Sequence, residues 1–311
     1  MWRYIIRRVI QIIPTLLGIS FLSFALLYIF PGDPAEIILT VTTGSEPSQE
    51  AIEEFRRQMG FDRPIIIQYI DWLSRVIRGD FGKSWTEDKP VIDVIMERFP
   101  ASAQLFFTTF ILSTIFAILL GIIAVKYKDK AIDHFCRLFS LLGISIPSFW
   151  LGLMLIYIFS VKLKLLPAFG YGDLKHMILP VLTWSISFMA IKTRFVRASL
   201  LEELSKDYII TARAKGLSEN KVLFRHAFRN ALIPIITYFS LSISHLIVGS
   251  VMVEVVFSWP GLGSLLVESI FKRDFPVVQA LVLISGVVFT ITNLVVDILY
   301  AIIDPRVRYG D

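Results

Sequence analysis

Several residue types that build catalytic or metal sites are scarce in this sequence. Cys136 is the only cysteine, so no intramolecular disulfide can form. The four histidines are scattered, no two are four residues apart, and no set of carboxylates accompanies them at metal-ligand spacing. No arrangement for nucleophilic or acid–base catalysis is recognisable either. The sequence therefore predicts no catalytic residue and no bound metal, and a protein that is not an enzyme.

A complete nucleotide-binding loop is also lacking. Gly79-Asp-Phe-Gly-Lys-Ser84 resembles the phosphate-binding loop, but Ile77 stands where that motif needs its first glycine. An ordinary turn is the better interpretation. If the protein takes part in ATP-driven work, another subunit must bind the nucleotide.

Charged residues are few, and long apolar runs stand in their place. Only 18% of the residues are charged, 55% are hydrophobic, and the mean hydropathy is +0.68. Soluble domains contain about 45–50% apolar residues, so this composition is typical of a polytopic membrane protein. A membrane-spanning helix needs about 20 apolar residues. Six runs predict six transmembrane helices: Val9–Phe30, Ala103–Val125, Leu138–Ser160, Met177–Ile191, Ala231–Phe257 and Val277–Ile303.

The distribution of basic residues predicts the orientation. The N-terminal head, the segment 126–137, the segment 192–229 and the C-terminal tail are all basic. With six spans all four lie on one side, and the positive-inside rule makes that side cytoplasmic. The net charge of +5 is therefore better explained by orientation than by nucleic-acid binding. The first apolar run is longer than a signal-peptide core, which favours a retained helix in an inner-membrane protein with both termini in the cytoplasm.

The longest segment outside the predicted spans is residues 31–102. It carries more acidic than basic residues at its start and many apolar residues, so a small helical subdomain on the outer side is expected. Ser48–Met59, with Ser48 as cap, and Pro64–Arg78 are its predicted helices. In the third span, Gly143 and Pro147 predict either a bend or ordinary packing.

The segment from Arg197 to Pro234 is polar and basic between two apolar runs. Ser199 and Glu202 form a capping-box pattern, which predicts a helix that begins near Leu200 and leads to Gly216. Glycine permits a sharp turn there, and Ser218 is a cap for a second helix. The sequence thus predicts two short helices along the membrane surface, either as a docking surface or as an interfacial hairpin without a partner.

At this segment the sequence resembles the coupling loop of binding-protein-dependent ABC importer permeases. Asp207-Tyr208, Thr211-Ala-Arg-Ala-Lys-Gly-Leu217 and His226-Ala-Phe-Arg-Asn-Ala-Leu-Ile-Pro234 carry the resemblance, which is to the first permease of the peptide/nickel branch. Ile210-Thr-Ala212 departs from the Glu-Ala-Ala of the general signature, so Gly216 is the firmest match. Further matches cover nearly the whole chain: Pro31-Gly-Asp-Pro34, Gly143-Ile-Ser-Ile-Pro-Ser-Phe-Trp150, Phe257-Ser-Trp-Pro-Gly-Leu-Gly263, Arg273-Asp-Phe-Pro-Val277 and Asp304-Pro-Arg306.

The resemblance implies an all-α type I ABC importer permease (MetI-like) fold with a small helical extracytoplasmic insertion. Its parts would be residues 1–30, the insertion 31–102, the core 103–303 with the coupling loop 197–230, and the tail 304–311. The implied partners are a second homologous permease, two ATP-binding subunits that hold ATP and Mg²⁺, and an extracytoplasmic solute-binding protein, in the lipid bilayer and without nucleic acid. The implied contacts with the ATPase are Tyr208, Ala212, Ala214, Gly216, Leu217 and Phe224.

Other candidate residues have a structural alternative. His245, Glu254 and Asp297 are ionisable residues in or near predicted spans, so they are candidates for lining or gating the path, or for packing. Candidates for contact with the binding protein are Trp72, Trp85, Trp259 and Gly261, although tryptophans also suit an interfacial belt.

The substrate stays open between peptides, nickel, metal chelates and opines. The alternative functions are a stand-alone channel or secondary transporter, and a membrane enzyme. Sparse ionisable residues and the large polar loop argue against the first, and the lack of a catalytic constellation argues against the second.

Overall fold

The computed structural model describes residues 2–29, 31–241 and 250–303. Within them the structure is helical, and the β pairing is one antiparallel bridge between Lys83 and Pro90. The predicted all-α fold is confirmed. In chain order the helices are α1 (Trp2–Ile29), α2 (Pro34–Thr43), α3 (Gln49–Met59), α4 (Ile65–Ile77), α5 (Val91–Lys126), α6 (Ala131–Ser145), α7 (Ser148–Leu155), α8 (Leu174–Leu204), α9 (Asp207–Ala214), α10 (Glu219–Lys221), α11 (Arg229–Leu241), α12 (Val251–Val256), α13 (Leu262–Phe271) and α14 (Phe275–Ile303). Two π-helical segments, Ile156–Lys162 and Val222–Phe228, continue α7 and α10.

Among the described residues, four helices are long and apolar enough to cross a membrane. They are Ile10–Ile29 within α1, α5, α8, and Phe275–Val296 within α14. The pair α6 and α7 counts as a fifth crossing if it is one broken span, and its two parts differ in direction by 103°. The predicted fifth span, Ala231–Phe257, contains residues 242–249 and so lies partly outside the described residues. The sixth crossing stays a prediction.

The bend in the third predicted span is confirmed at Pro147. The residue before a proline is driven out of the α region, and Ile146 accordingly has an extended ψ of 123°. Pro147 then starts α7 as its N-cap residue, where a missing N–H has no consequence for the helix.

The fourth predicted span is longer than the sequence analysis expected. α8 has 31 residues, which is about 46 Å at 1.5 Å per residue and exceeds a hydrocarbon layer of about 30 Å. α8 is therefore longer than one crossing of the hydrocarbon layer requires. The predicted helix start at Ser199 is wrong, because Ser199 is buried inside the uninterrupted α8.

The chain divides into two compact units. The first comprises Met1–Ser102 and Pro260–Leu294, and the second comprises Ala103–Trp259 and Val295–Asp311. In the first unit, α1 is tied to α14 because Ser23 Oγ donates to Gln279 O over 2.6 Å and Gln279 Nε2 donates to Phe24 O over 3.1 Å. The predicted Ser48 cap of α3 is confirmed, since its hydroxyl accepts from Ala51 N at 3.3 Å.

The segment that resembles a phosphate loop holds an anion of its own chain. Ser84 Oγ and Thr86 Oγ1 donate to Asp274 Oδ2 over 2.5 and 2.7 Å. The backbone N–H groups of Trp85 and Thr86 donate to the same carboxylate over 3.2 and 3.3 Å. Asp274 is buried. The expectation of an ordinary turn is confirmed, and the hydroxyl of Ser84, the last residue of the motif, donates to Asp274.

Candidate functional site

The basic segment folds into a helical hairpin beyond the end of α8 (the hairpin, residues 207–230). α9 ends at Ala214, and Gly216 turns the chain with φ of +76°. This left-handed conformation costs other L-residues about 1–2 kcal/mol. The second arm starts after Ser218, which is the N-cap residue but makes no side-chain cap hydrogen bond. It does not stop as a short helix, because the π-helical segment runs directly into α11.

The two arms of the hairpin are held together by a small apolar core. Ile209 and Ala212 of α9 are buried against Val222 and Ala227 of the second arm. The candidate contact Ala212 therefore stabilises the hairpin from inside, and its side chain is not on the surface.

Tyr208 connects the hairpin to the end of α8. Its hydroxyl donates to Glu203 Oε2 over 2.6 Å and accepts from Asn230 Nδ2 at 3.0 Å. Burial raises the pKa of the Tyr208 phenol above its ordinary value, which keeps the proton that this donation needs. Lys206 pairs with the same carboxylate.

An ion pair closes the tip of the hairpin across the Gly216 turn. Arg213 Nε and Nη2 donate to the two carboxylate oxygens of Glu219 over 2.8 and 3.1 Å. These hydrogen bonds lower the pKa of the Glu219 carboxyl from its ordinary value. Both side chains are exposed, so the pair fixes the conformation of the tip but contributes little to the free energy of folding.

A buried ion pair fixes the base of the hairpin. Arg197, near the end of α8, donates from Nε to Asp133 Oδ1 over 2.8 Å and from Nη2 to Asp133 Oδ2 over 2.7 Å. Asp133 is fully buried and also accepts from Asp129 N at 3.1 Å. The bidentate geometry joins α6 firmly to α8.

Apolar side chains also pack closely where the end of α8 meets α5 and the second arm of the hairpin. Val196 and Leu200 of α8 share a buried cluster with Val125 of α5 and Leu223 of the second arm. At Gly121 of α5, an added Cβ would lie 2.5 Å from Val196 Cγ1, so the two helices approach as closely as a glycine permits. The hairpin is therefore attached to the helices of its unit by packing and by charge.

The outward side of the hairpin exposes several of the predicted contacts. Ala214, Gly216 and Phe224 are exposed, and Phe224 has 49% of its surface accessible, whereas Tyr208 and Leu217 are half-buried. Ile210 is also exposed and was missed, although its spacing of four residues from Ala214 is a signal for a shared face.

A groove of about 490 Å³ lies beside the tip. Lys126 and Lys128, at the end of α5, line it together with Arg213, Glu219 and Asn220 of the hairpin. The hairpin thus offers exposed apolar residues next to a predominantly basic groove.

Lys192 is a second feature that the sequence analysis misplaced. It was counted among the loop charges, but it lies within α8 and is only 1% exposed. Its Nζ donates to Ser113 Oγ and Thr114 Oγ1 of α5 over 3.0 and 2.9 Å. Three rings surround the ammonium, with centroids at 4.2 Å for Phe110, 5.0 Å for Phe239 and 5.6 Å for Phe188. The sequence shows Phe188 one helical turn before Lys192, but it does not show that Phe110 and Phe239 pack around the same ammonium.

The candidates for lining or gating the path fall outside this site. His245 lies outside the described residues, and the side chain of Asp297 is not described. Glu254 is fully buried in α12. Their roles stay predictions.

The four candidates for contact with a binding protein differ in their burial. Trp72 and Trp85 are half-buried in the first unit. Trp259 is 1% exposed, because its ring packs edge-on against Tyr171 with centroids 4.8 Å apart. Gly261, the N-cap residue of α13, is also buried. All four residues stay candidates, and two of them, Trp259 and Gly261, are buried in the structure.

The sequence matches two families over nearly its full length. Residues 117–309 match the family described as binding-protein-dependent transport system inner membrane component, and residues 1–106 match the N-terminal family of such membrane components. Glutathione transport system permease protein GsiC of Escherichia coli strain K12 is 43% identical over 309 residues, which cover 99% of this chain and 100% of that relative. The protein of the same name from Shigella dysenteriae serotype 1 strain Sd197 has the same identity and coverage.

A solved structure agrees in fold. The crystal structure described as an amino acid ABC transporter with histidines has a TM-score of 0.53 and covers 69% of this chain and 94% of its own. At 14% identity this similarity concerns the fold alone. Together these findings support an importer permease over a stand-alone channel, and a transport subunit over an enzyme. The chain belongs to the family of binding-protein-dependent transport system inner membrane components, and it is a multi-pass permease of an ABC importer.

Proposed function

We propose that the hairpin is the docking surface for an ATP-binding subunit and passes the movement of that subunit to the membrane helices. The observation that carries this proposal is the contrast between its two sides. Its outward side exposes Ile210, Ala214, Gly216 and Phe224, while its base is held by the buried Asp133–Arg197 pair. A rigid base with an exposed apolar tip is what a force-transmitting contact needs.

The proposal also includes the orientation of the chain in the membrane and the subunits with which it assembles. Positive segments at both termini and in the hairpin put these parts in the cytoplasm, and the insertion 31–102 outside. Two ATP-binding subunits bind ATP and Mg²⁺, because the sequence of this chain lacks a complete phosphate loop. A second homologous permease completes the path, and an extracytoplasmic binding protein delivers the substrate.

The coupling step is a rigid-body movement. When the ATPases close on ATP, a cleft on each one carries its permease hairpin along. α8 follows because Tyr208 and Arg197 join the hairpin and α6 to its end. The groove beside the tip is basic, so the matching edge of the ATPase cleft carries acidic residues.

The proposed substrate is a small peptide such as glutathione. The names of the relatives support this class over nickel. No group of three or more His, Cys, Asp or Glu side chains that could hold a metal ion occurs among the described residues. In vesicles that contain the assembled importer and its binding protein, ATP should drive uptake of labelled glutathione. Uptake of nickel without any peptide uptake would contradict this substrate class.

Gly216→Arg tests the docking contact. A Cβ at Gly216 would meet no heavy atom of the described residues within 4 Å, although the positive φ there strains any L-residue. Gly44→Arg is the matched control, because Gly44 also has a positive φ, of +70°, and open space around it. We expect Gly216→Arg to insert normally and to lose the ATPase subunits in mild detergent, whereas Gly44→Arg retains them. A Gly216→Arg complex that keeps its ATPases and transports at the full rate would overturn the proposal.

A further inference from the structure

One face of α4 exposes more apolar surface than is usual for a water-soluble subdomain. Ile66, Ile70 and Ile77 are 66%, 57% and 76% exposed. Residues four and eleven positions apart lie within about 40° of each other around a helix, so the three side chains form one stripe. None of the residues of α4 is buried. Large exposed apolar stripes mark contact with a partner or a membrane.

α4 is held against the apolar part of α1. The Tyr69 hydroxyl lies 2.7 Å from Ser20 Oγ, and the Tyr69 ring packs on Phe21 and Phe24 with centroids at 5.5 and 5.6 Å. The Trp72 ring lies 5.7 Å from the same Phe24 ring. These contacts fall within Ile10–Ile29, the membrane-crossing part of α1.

The positions of these contacts give the depth of α4. At 1.5 Å per residue, Phe24 lies about 8 Å and Ser20 about 14 Å from the end of the apolar stretch at Ile29. Helices that lie in a membrane surface bury their apolar face about 5–10 Å below the headgroups. The contacts with Phe24 and Ser20 therefore set α4 about 8–14 Å from that end, at or slightly below the depth of an interfacial helix.

The opposite face of α4 is polar. Arg75 is nine residues from Ile66, which is about 180° around the helix. Asp71 lies on the same polar side and pairs with Arg63 at 3.6 Å. Asp71 and Arg75 line a cavity of about 690 Å³ within the first unit. The helix thus has two charged residues at the cavity, while the isoleucines of its stripe are each more than half exposed.

We propose that α4 is an interfacial membrane helix whose isoleucine stripe is covered by lipid acyl chains at the end of α1. The stripe adjoins the lipid-facing surface of α1, where Phe21, Leu22 and Ile29 are likewise exposed. This continuity favours lipid over a protein partner as the occupant. The insertion is then anchored in the bilayer rather than carried above it.

Spin labelling of the assembled importer in vesicles of phosphatidylethanolamine and phosphatidylglycerol tests this proposal. Cys136→Ser removes the only cysteine, so single cysteines can be placed at Ile66, Ile70 or Ile77, with Arg75 as the control on the opposite face. Variants that retain transport are compared for collision with oxygen, which enters lipid, and with a water-soluble nickel chelate. We expect labels on the stripe to collide with oxygen and to be several-fold less accessible to the chelate than the label at Arg75.

Two results would overturn the proposal. Equal accessibility of stripe and control to the nickel chelate would place the stripe in water. Exclusion of both reagents from the stripe would mean that a protein subunit covers it. Ile77 has the largest exposed fraction of the three and so is the position at which a label disturbs folding least.

Discussion

Two polar loops of this chain resemble sites for a partner, and the structure treats them in opposite ways. In the segment 84–86, the two hydroxyls and the N–H groups of Trp85 and Thr86 donate to the buried Asp274, while Ser84 N donates to Lys89 O. The hairpin turns its hydrogen bonds inward as well, but it leaves Gly216 and Phe224 exposed at the tip. A loop that satisfies its donors within the chain is structural, whereas a loop that exposes apolar surface on a rigid base is fit for binding.

The largest expected effect comes from the base of the hairpin. Arg197→Met leaves the fully buried Asp133 carboxylate without its guanidinium, and breaking a buried pair in this way costs about 3–5 kcal/mol. We expect a lower apparent Tm in detergent and loss of transport. Adding Asp133→Leu to Arg197→Met should restore much of the stability, because no buried charge is then left. Equal stability of the single variant and the wild-type chain would mean that the pair does not hold the base.

Removing Asp274, which holds the loop of residues 84–86 (the sealed loop), should have the next largest effect on stability. Asp274→Ala removes the acceptor of Ser84, Trp85 and Thr86, and losing hydrogen bonds to a buried charge costs about 1.5–3 kcal/mol for one bond. The control is Asp80→Ala, which removes a 2.9 Å bond from Gly82 N in an exposed turn. Thermal unfolding should show a clear loss for Asp274→Ala and little for Asp80→Ala. Similar losses would remove the distinction between the sealed loop and an ordinary turn.

The smallest expected effect is at the tip of the hairpin. Because Arg213 lowers the pKa of Glu219, the ion pair contributes above the ordinary carboxyl pKa of 4.5 and is lost as the pH falls below it. For such an exposed pair the contribution is about 0.2–1 kcal/mol. A double-mutant cycle with Arg213→Ala and Glu219→Ala should give this coupling at pH 7, and the coupling should weaken progressively as the pH falls below 4.5. Coupling of unchanged size well below that pH would contradict the assignment to the ion pair.

Local signals in the sequence were sufficient for some elements. The Ser48 cap depends on neighbouring residues only, and α3 starts where the sequence predicts. The same kind of signal failed at Ser199, because a Ser-x-x-Glu pattern is equally compatible with the interior of a long helix. Packing of Val196 and Leu200 decides that α8 continues.

Contacts between distant residues could not be predicted in the same way. Ser84 and Asp274 are 190 positions apart, and no local pattern links them. Lys192 was assigned to a loop because basic residues follow it, while the rings that shield it come from three separate helices. The hairpin itself was predictable, since a glycine between two polar helical segments is a local signal. Which of its side chains face inward depends on the tertiary core.

The shielded Lys192 has a mechanical consequence for the transport cycle. Lys192 carries an ammonium inside a helix that is long and apolar enough to cross a membrane, and Phe110, Phe188 and Phe239 take the place of water around it. Separating α5, α8 and α11 would strip this shell from the cation. We therefore expect these three helices to move together during transport, because parting them would expose the cation.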